Sequence, residues 1–231
     1  MVLVSDLFAE EGYEVRPITK QDAYWLILNV HYARRLPAIS YAFGLFYSGD
    51  LKGVVTYGSP PSPTLVRGIA GDKWKDNVLE LNRLVLVDNK PNEASRLVGG
   101  SLQLLPKPTI VVSFADTAQH HEGVIYQATN FFYTGLTAPR TEMAVEGMEH
   151  LHSKTLSDQV QGAESRVVAL KEMYGDKFYY RQRSLKHRYI IIMASKTDKK
   201  QIMKDLRYLP QPYPKGYEDE HLGSNQSECQ T

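Results

Sequence analysis

The sequence predicts a mixed α/β fold in which helices cover both faces of a mostly antiparallel sheet. Stretches with helical spacing of apolar residues alternate with stretches rich in β-branched residues, and the spacing changes clearly at Thr19 and Asn92. The most apolar stretch, residues 109–115, lies between Pro108 and a polar loop, which is typical of a buried strand. The predicted strands are 41–47, 51–57, 79–87, 109–115 and 189–194, and the predicted helices are 20–32 and 93–105.

The first half of the chain carries local signals for its turns and helix ends. Thr19 is predicted to cap the first helix, with Asp22 at the capping-box position. The tripeptide Ser-Gly-Asp at 48–50 predicts a hairpin turn, and Asn92 is predicted to cap the second helix. Two shorter elements are also predicted, a strand over 13–18 and one short helical turn within 64–71.

After Gly123 the spacing of apolar residues becomes helical. The helix is predicted to cover 124–133 and to be closed by Gly135. The residues that set this spacing are Val124, Gln127, Ala128 and Phe131.

The last third of the chain gives weaker signals. The sequence predicts a helix over 161–174, a short extended piece over 178–181 and a last helix from Thr197 or Asp198 to about Tyr208. Its prolines predict a stiff extended segment over 209–216, and 217–231 are predicted to be a disordered acidic and polar tail. No linker forces a boundary, so 1–216 are predicted to form one domain, with a basic C-terminal part over 166–207.

Composition and charge narrow the functional class. The chain has 231 residues, 42% apolar and 23% charged, and its net charge is +1. Residues 166–207 carry twelve Lys/Arg and four Asp/Glu, so the rest of the chain is net acidic. Cys229 is the only cysteine, no apolar stretch approaches the roughly 20 residues of a membrane span, and the acidic N-terminus is unlike a signal peptide. These features predict a cytoplasmic protein.

Titratable residues cluster directly after the most apolar predicted strand. Asp116 stands where this strand ends, and His120, His121 and Glu122 follow within six residues. Open α/β sheets bind ligands beyond the carboxyl ends of their strands, so this loop is a candidate site. The alternative is a solvated acidic loop.

The strand LELNRLVLV, the loop after it and the helix that opens at Glu93 resemble the central part of the GNAT acetyltransferase superfamily. In that superfamily a splayed central strand and a helix N-terminus hold the pyrophosphate of acetyl-CoA, because free amides and the helix dipole favour an anion. The resemblance implies a GNAT-like acyltransferase fold and a cofactor site at Leu84, Val85, Ser95 and Arg96. The loop departs from the GNAT pattern, because 90–96 contain no glycine and the first glycines are Gly99 and Gly100.

A longer stretch, 13–216, resembles the Mom family of phage DNA modification proteins. The resemblance implies an enzyme that adds a carbamoylmethyl (acetamido) group to adenine N6 in bacteriophage DNA and so protects it from host restriction. It also implies acetyl-CoA or a related acyl donor, with iron as a further cofactor. The matching pieces are His31-Tyr32-Ala33, LNRLVLV, Ser95-Arg96, SFADTAQHHEGVIYQATNFFYTG, Lys186-His187-Arg188-Tyr189 and LPQPYPKG at 209–216.

Adenine N6 is a weak nucleophile, so the implied reaction calls for a base or acceptor. Asp116 is the first choice, with capping of the next turn as its alternative role. His31 is predicted as a base, an acceptor or a metal ligand, the alternative being a helix C-cap. Tyr32 is predicted to position the substrate or to belong to the core. His31, Asp116 and His120 are the candidate ligands for iron.

An enzyme of this kind must also reach its base in double-stranded DNA, by extruding it or through the major groove. The basic run is interleaved with aromatic residues, which favours a phosphate-binding face, although an ordinary solvated face is the alternative. The oligomeric state is left open, with a dimer as one possibility. The predicted DNA-binding residues are Arg34, Arg35, Arg181, Arg183, Lys186 and Arg188.

Two other functional classes are compatible with the sequence. One is an ordinary GNAT N-acyltransferase acting on a small amine or a protein, which would turn over acetyl-CoA without DNA. The other is a non-catalytic DNA-binding antirestriction protein with a degenerate GNAT fold, which the missing glycines favour and the Asp-His loop disfavours.

Overall fold

The structure, a computed structural model, describes residues 12–31, 34–151 and 153–214. The described chain packs into two compact units. The first contains the chain up to Ala115, residues 121–135 and the chain from His187, and the second contains 116–120 and 136–186. Two compact units can belong to one domain, so the single catalytic domain over 1–216 stays a prediction. The predicted disordered tail lies outside the described residues.

The described chain contains nine strands and seven α-helices. The strands are β1 Tyr13–Pro17, β2 Tyr41–Tyr47, β3 Asp50–Gly58, β4 Val78–Leu86, β5 Thr109–Asp116, β6 Phe132–Leu136, β7 Thr141–Val145, β8 Phe178–Gln182 and β9 Lys186–Met193. The helices are α1 Lys20–Asn29, α2 Pro63–Ala70, α3 Glu93–Leu104, α4 Val124–Ala128, α5 Ser153–Gln159, α6 Arg166–Tyr174 and α7 Lys196–Asp205. No described helix is both long enough and apolar enough to cross a bilayer.

The large sheet has the order β1-β2-β3-β4-β5-β9-β6. Strands β1 to β4 pair antiparallel, and β4 pairs parallel with β5. The β4–β5 register covers only 78–80 against 110–112. Beyond it, the Ser113 hydroxyl donates to the Leu81 carbonyl across 3.1 Å. The predicted fold class, a mixed and mostly antiparallel sheet with a central splay, is therefore confirmed.

Successive residues of β3 show that both faces of the sheet are covered, as predicted. Val54 belongs to a buried cluster with Ala23 of α1, whereas Val55 belongs to another with Leu97 of α3. Because side chains alternate along a strand, α1 and α3 cover opposite faces. A third cluster joins α2 and α7 to the far part of the sheet.

The second unit has its own small core. Strands β7 and β8 form a two-stranded antiparallel ribbon. Val145 and Phe178 from the ribbon pack with Leu156 and Val160 after β7 and with Leu170 of α6.

The predicted helix over 124–133 is wrong. Helix α4 ends at Ala128, and Asn130 takes a left-handed conformation with φ 62°. The aromatic residues that follow then form β6, which aromatic and β-branched side chains favour. Gly135 lies inside this strand with φ 88° rather than closing a helix.

Several predicted helix ends change as well. The Thr19–Asp22 capping box is confirmed, but α1 stops at Asn29 instead of residue 32. Asn92 is at the N-cap of α3 but is left-handed, and its side chain makes no capping hydrogen bond. Ser195, rather than Thr197 or Asp198, caps α7.

Three further elements differ from the predictions. The single turn within 64–71 is the eight-residue helix α2, which Ser62 caps. The helix over 161–174 begins only at Arg166, where Ser165 caps α6. Helix α5 was not predicted.

Candidate active site

His31 lies just beyond the end of α1. Its backbone amide still donates to the Leu26 carbonyl across 3.1 Å, which places the ring close to the helix end. Burial of the ring, and then the nearby charge of Arg83, lower the pKa of His31 to about 4. The imidazole is therefore neutral at physiological pH and has a nitrogen lone pair that can accept a proton.

Polar residues of β4 hold the chain that follows His31. The Arg83 guanidinium donates to the Arg35 carbonyl from Nη2 at 3.0 Å, and the Asn82 amide donates to the Ala38 carbonyl at 2.8 Å. On the next strand Gly58 has no room for a side chain, because a Cβ there would lie 1.9 Å from the Ala38 oxygen. The sheet thus fixes residues 35–38 on three contacts.

Of the predicted DNA-binding residues, Arg35 begins this held segment and Arg34 directly precedes it. Arg34 and Arg35 are both exposed, and Arg34 is left-handed with φ 40°. Their contact with DNA stays a prediction. Tyr32, the third predicted catalytic residue, lies outside the described residues.

Asp116 ends β5 and has several partners in the second unit. Its carboxylate accepts from the Ala118 amide at 3.0 Å and from the Ser184 hydroxyl, and it pairs with the Lys186 ammonium at 3.3 Å. Burial raises the pKa of Asp116, but these donors outweigh it, so the pKa is lowered overall. The carboxylate is a weak base, and the structure has the capping contact that was the alternative role for this residue.

The described residues give no support to the predicted iron site. Among the described residues, no group of three or more His, Cys, Asp or Glu side chains is arranged to hold a metal ion. His120 is exposed and closes the short turn 117–119 in a left-handed conformation with φ 52°. Lys186 already neutralises Asp116, so an added cation would have to displace an ammonium group. The assignment of His31, Asp116 and His120 as metal ligands therefore gains no support and stays a prediction.

A buried group of aromatic side chains in the first unit contacts the backbone of Glu122. Tyr189 is fully buried, its hydroxyl donates to the Glu122 carbonyl, and burial raises its pKa to about 12. His187 is 8% exposed, and its Nδ1 lies 3.1 Å from the Tyr133 hydroxyl. Burial lowers the pKa of His187 despite the charge of Glu122. Sequence reasoning did not single out His187 and Tyr189 as site residues, although alternation along β9 places their side chains on one face of the strand.

Three predicted DNA-binding residues are engaged within the protein. Arg188 donates to Thr134 at 2.9 and 2.7 Å and lies over the Tyr208 ring. In the second unit, Arg181 pairs with Glu142 at 2.8 Å, and Lys186 pairs with Asp116. These contacts give three of the twelve basic residues partners within the protein, and the phosphate-binding face stays a prediction. Arg183 is exposed.

The N-terminus of α3 carries an anion of its own. Glu93 is 1% exposed, and its carboxylate accepts from the Lys90 amide and from the Tyr13 hydroxyl, both at 2.9 Å. The Arg96 guanidinium lies over the Tyr13 ring, 5.2 Å from its centre. Gly100 serves packing, since a Cβ there would lie 2.9 Å from Val15.

The predicted cofactor residues therefore do not form the expected phosphate cradle. Val85 is buried against α1, and Leu84 pairs with Val55 within the sheet. The Ser95 hydroxyl donates to the Asn92 carbonyl at 3.1 Å. A pyrophosphate at this helix end would meet the buried carboxylate of Glu93, so the residues present do not fit the usual position of CoA.

Solved structures with a similar course of the chain are GNAT acetyltransferases. A probable acetyltransferase from Staphylococcus epidermidis has a TM-score of 0.43 and 10% identity, covering 79% of this chain and 99% of that one. A putative acetyltransferase from Salmonella typhimurium, solved with its cofactor acetyl-CoA, has a TM-score of 0.43 and 10% identity, covering 79% and 94%. These likenesses concern the fold alone.

The sequence comparisons are more specific. The chain is 30% identical over 218 residues to the methylcarbamoylase Mom of Escherichia phage Mu, which covers 90% of this chain and 86% of that protein. The model of the Mom protein family matches residues 12–215, almost all of the described chain. The chain therefore belongs to the Mom protein family.

Proposed function

We propose that this protein is a transferase that attaches a carbamoylmethyl group to adenine N6 in phage DNA, and so protects that DNA from host restriction. The family match over 12–215 carries the proposal. It is supported by the 30% identity to a phage Mu protein named as a methylcarbamoylase. The enzyme would act on double-stranded DNA in the host cytoplasm.

His31 is the proposed proton acceptor at N6. The new bond joins N6 to the methylene carbon of the transferred group while the bond from that carbon to the donor breaks and its electron pair leaves with the rest of the donor. N6 must lose a proton as the bond forms. The lowered pKa of about 4 keeps the His31 imidazole neutral at physiological pH, so its ring nitrogen can take that proton, as a weaker base than an ordinary histidine. A conjugate acid of this strength returns the proton to water readily, so His31 is regenerated after each transfer. General base catalysis of this kind typically contributes about 10²–10⁴ in rate.

Asp116 is proposed in a second role. Its carboxylate has a lowered pKa and is already paired with the Lys186 ammonium. Its contacts with Ala118 and Lys186 hold the start of the loop 117–122. Tyr32 remains a proposed contact of the adenine because it directly follows His31. Arg34 and Arg35 are proposed to contact the DNA backbone beside the adenine that is modified.

The donor must satisfy an atom balance. The carbamoylmethyl group contains two carbons and an amide nitrogen, whereas the acetyl group of acetyl-CoA contains two carbons and no nitrogen. Attachment of N6 to the methyl carbon of an acetyl group would also require an oxidant. Acetyl-CoA alone is therefore insufficient, and the buried carboxylate of Glu93 at the usual phosphate position agrees with this. The proposed donor carries the amide, or a second donor supplies the nitrogen.

Mass analysis of nucleosides from DNA of cells that express the protein tests the proposal. The expected result is an adenine nucleoside heavier by the carbamoylmethyl group, which disappears with the His31→Ala variant at equal expression. Unmodified adenine in wild-type cells whose DNA is nevertheless bound by the protein would instead identify a non-catalytic DNA-binding protein. Acetyl-CoA turnover on small amines without DNA would identify an ordinary N-acyltransferase.

A further inference from the structure

Two arginines face each other at one end of the β7–β8 ribbon. The ladder pairs Thr141 with Gln182, and the Arg183 amide donates to the Arg140 carbonyl at 2.8 Å, so Arg140 and Arg183 are the next pair in the same register. Directly opposite residues project from the same face, with Cβ atoms about 4.5–5.5 Å apart. The register therefore brings the Cβ atoms of two arginines close together on one face of the ribbon.

On the same face of the ribbon, a third arginine is neutralised by an acidic side chain of the protein. Two residues along the ribbon, Glu142 lies opposite Arg181, and their side chains pair at 2.8 Å. The carbonyl of Glu149 accepts a further hydrogen bond from Arg181 at 2.9 Å. That arginine is therefore satisfied within the second unit.

Arg140 and Arg183 have no such neutralisation. Both are exposed, and within the described ranges no acidic side chain pairs with either of them. Like charges directly opposite one another on a ribbon are destabilising. A fold that places them together gains from an external anion, which would offset their repulsion.

We propose that Arg140 and Arg183 bind the phosphodiester backbone of double-stranded DNA. This inference rests on the proposed function and adds a contact in the second unit that lies outside the proposed chemistry. The pair sits on an open ribbon face rather than in a buried pocket, which suits an extended polyanion more than a small anion. Tyr179 lies on the same face with 37% of its surface exposed and extends the face towards the other end of the ribbon. Contacts of this kind position a protein on DNA without reading its sequence.

The test measures the affinity of the full chain for a DNA duplex as a function of salt. The double variant Arg140→Gln and Arg183→Gln is expected to reduce the slope of log affinity against log salt by about 2, since each lost phosphate contact removes about 1. The loss should be the same for duplexes of different sequence. The matched control, Arg166→Gln with Lys171→Gln, removes the same charge from exposed positions of α6 and is expected to leave the slope nearly unchanged.

Each outcome decides between explanations. A wild-type slope in the double variant, or an equal fall in the α6 control, would overturn the phosphate pair while leaving the modification of adenine intact. Absence of the modified adenine from the DNA of cells that express the wild-type protein would instead overturn the proposed function. If CoA or inorganic phosphate at millimolar concentration bound to the pair and DNA did not, a small-anion site would replace the proposed one.

Discussion

Both His31 and Asp116 lie beside a cation, and the cation lowers the pKa of each but favours a different charge state. The charge of Arg83 adds to burial in lowering the pKa of His31, so the imidazole stays neutral and can accept a proton. The ammonium of Lys186 and two hydrogen-bond donors lower the pKa of Asp116, so the carboxylate stays charged and accepts a proton poorly. Both groups are therefore weaker bases than their unperturbed counterparts, but the imidazole is held in its neutral form and the carboxylate in its charged form.

The largest expected effect is that of removing the imidazole. His31→Ala should lower the modified-adenine fraction by about 100-fold or more at equal expression, the range of a lost general base. The measurement is nucleoside mass analysis, with the exposed His150→Ala as the control. Modification near the wild-type level in His31→Ala would break the comparison and move the base to another residue.

Changing the charge beside His31 should change its protonation. Arg83→Met removes the cation, so the pKa of His31 is expected to rise from about 4 towards its ordinary value of 6.5 and to stop short of it because burial remains. NMR titration of the imidazole measures this rise. Arg83→Lys keeps a cation and should keep the pKa low even though the forked contact with Arg35 is lost. An unchanged pKa in the methionine variant would mean that burial alone controls His31.

Variants of Asp116 and Lys186 test whether Asp116 acts as a base or through its ion pair with Lys186. If Asp116 acts chiefly through Lys186, Asp116→Asn and Lys186→Met should lower modification by similar amounts, roughly two- to tenfold, because each removes the same partly exposed pair. Loss of most modification in Asp116→Asn together with near-normal modification in Lys186→Met would restore Asp116 as the base. Both variants are to be compared at equal amounts of folded protein.

The smallest effect is on stability. The pKa of His31 is depressed in the folded state, so the unfolded chain binds this proton first and folding loses stability as the pH falls from 6.5 to about 4. Because the ring is only half-buried, we expect a discounted shift of roughly 2–4 °C in Tm, which corresponds to about 1 kcal/mol. Calorimetry at pH 7 and pH 4.5 should find this part of the decrease missing in His31→Ala. An equal decrease in both proteins would contradict the lowered pKa.

The parts of the fold that local chemistry determines were predictable from the sequence. Thr19 and Asp22 form their capping box within four residues of chain, and the apolar run 109–115 can satisfy its burial only inside a sheet. The helix predicted over 124–133 failed because its spacing fitted a helix, whereas the partners of β6 come from β9 and from Gln211, far along the chain. Local spacing holds no information about such partners.

The candidate site was less predictable than the fold for the same reason. The sequence placed His31 and Asp116 beside turns, but it gave no sign that Arg83 would lower the pKa of one or that Lys186 would neutralise the other. Arg188 illustrates the limit, because its position in a basic run suggested a surface charge, whereas its guanidinium binds Thr134. Which charges are used internally depends on contacts between distant segments.

The strand order has a consequence for synthesis on the ribosome. Strand β9 lies between β5 and β6 in the large sheet, yet it is the last strand along the chain. The large sheet therefore cannot be completed until β9, which ends at residue 193, has left the exit tunnel of the ribosome. Most of the second unit, residues 136–186, is continuous and emerges earlier, so it can fold first. Until then β5 presents an unpaired apolar edge, and nascent chains that stall before β9 should depend most on chaperones.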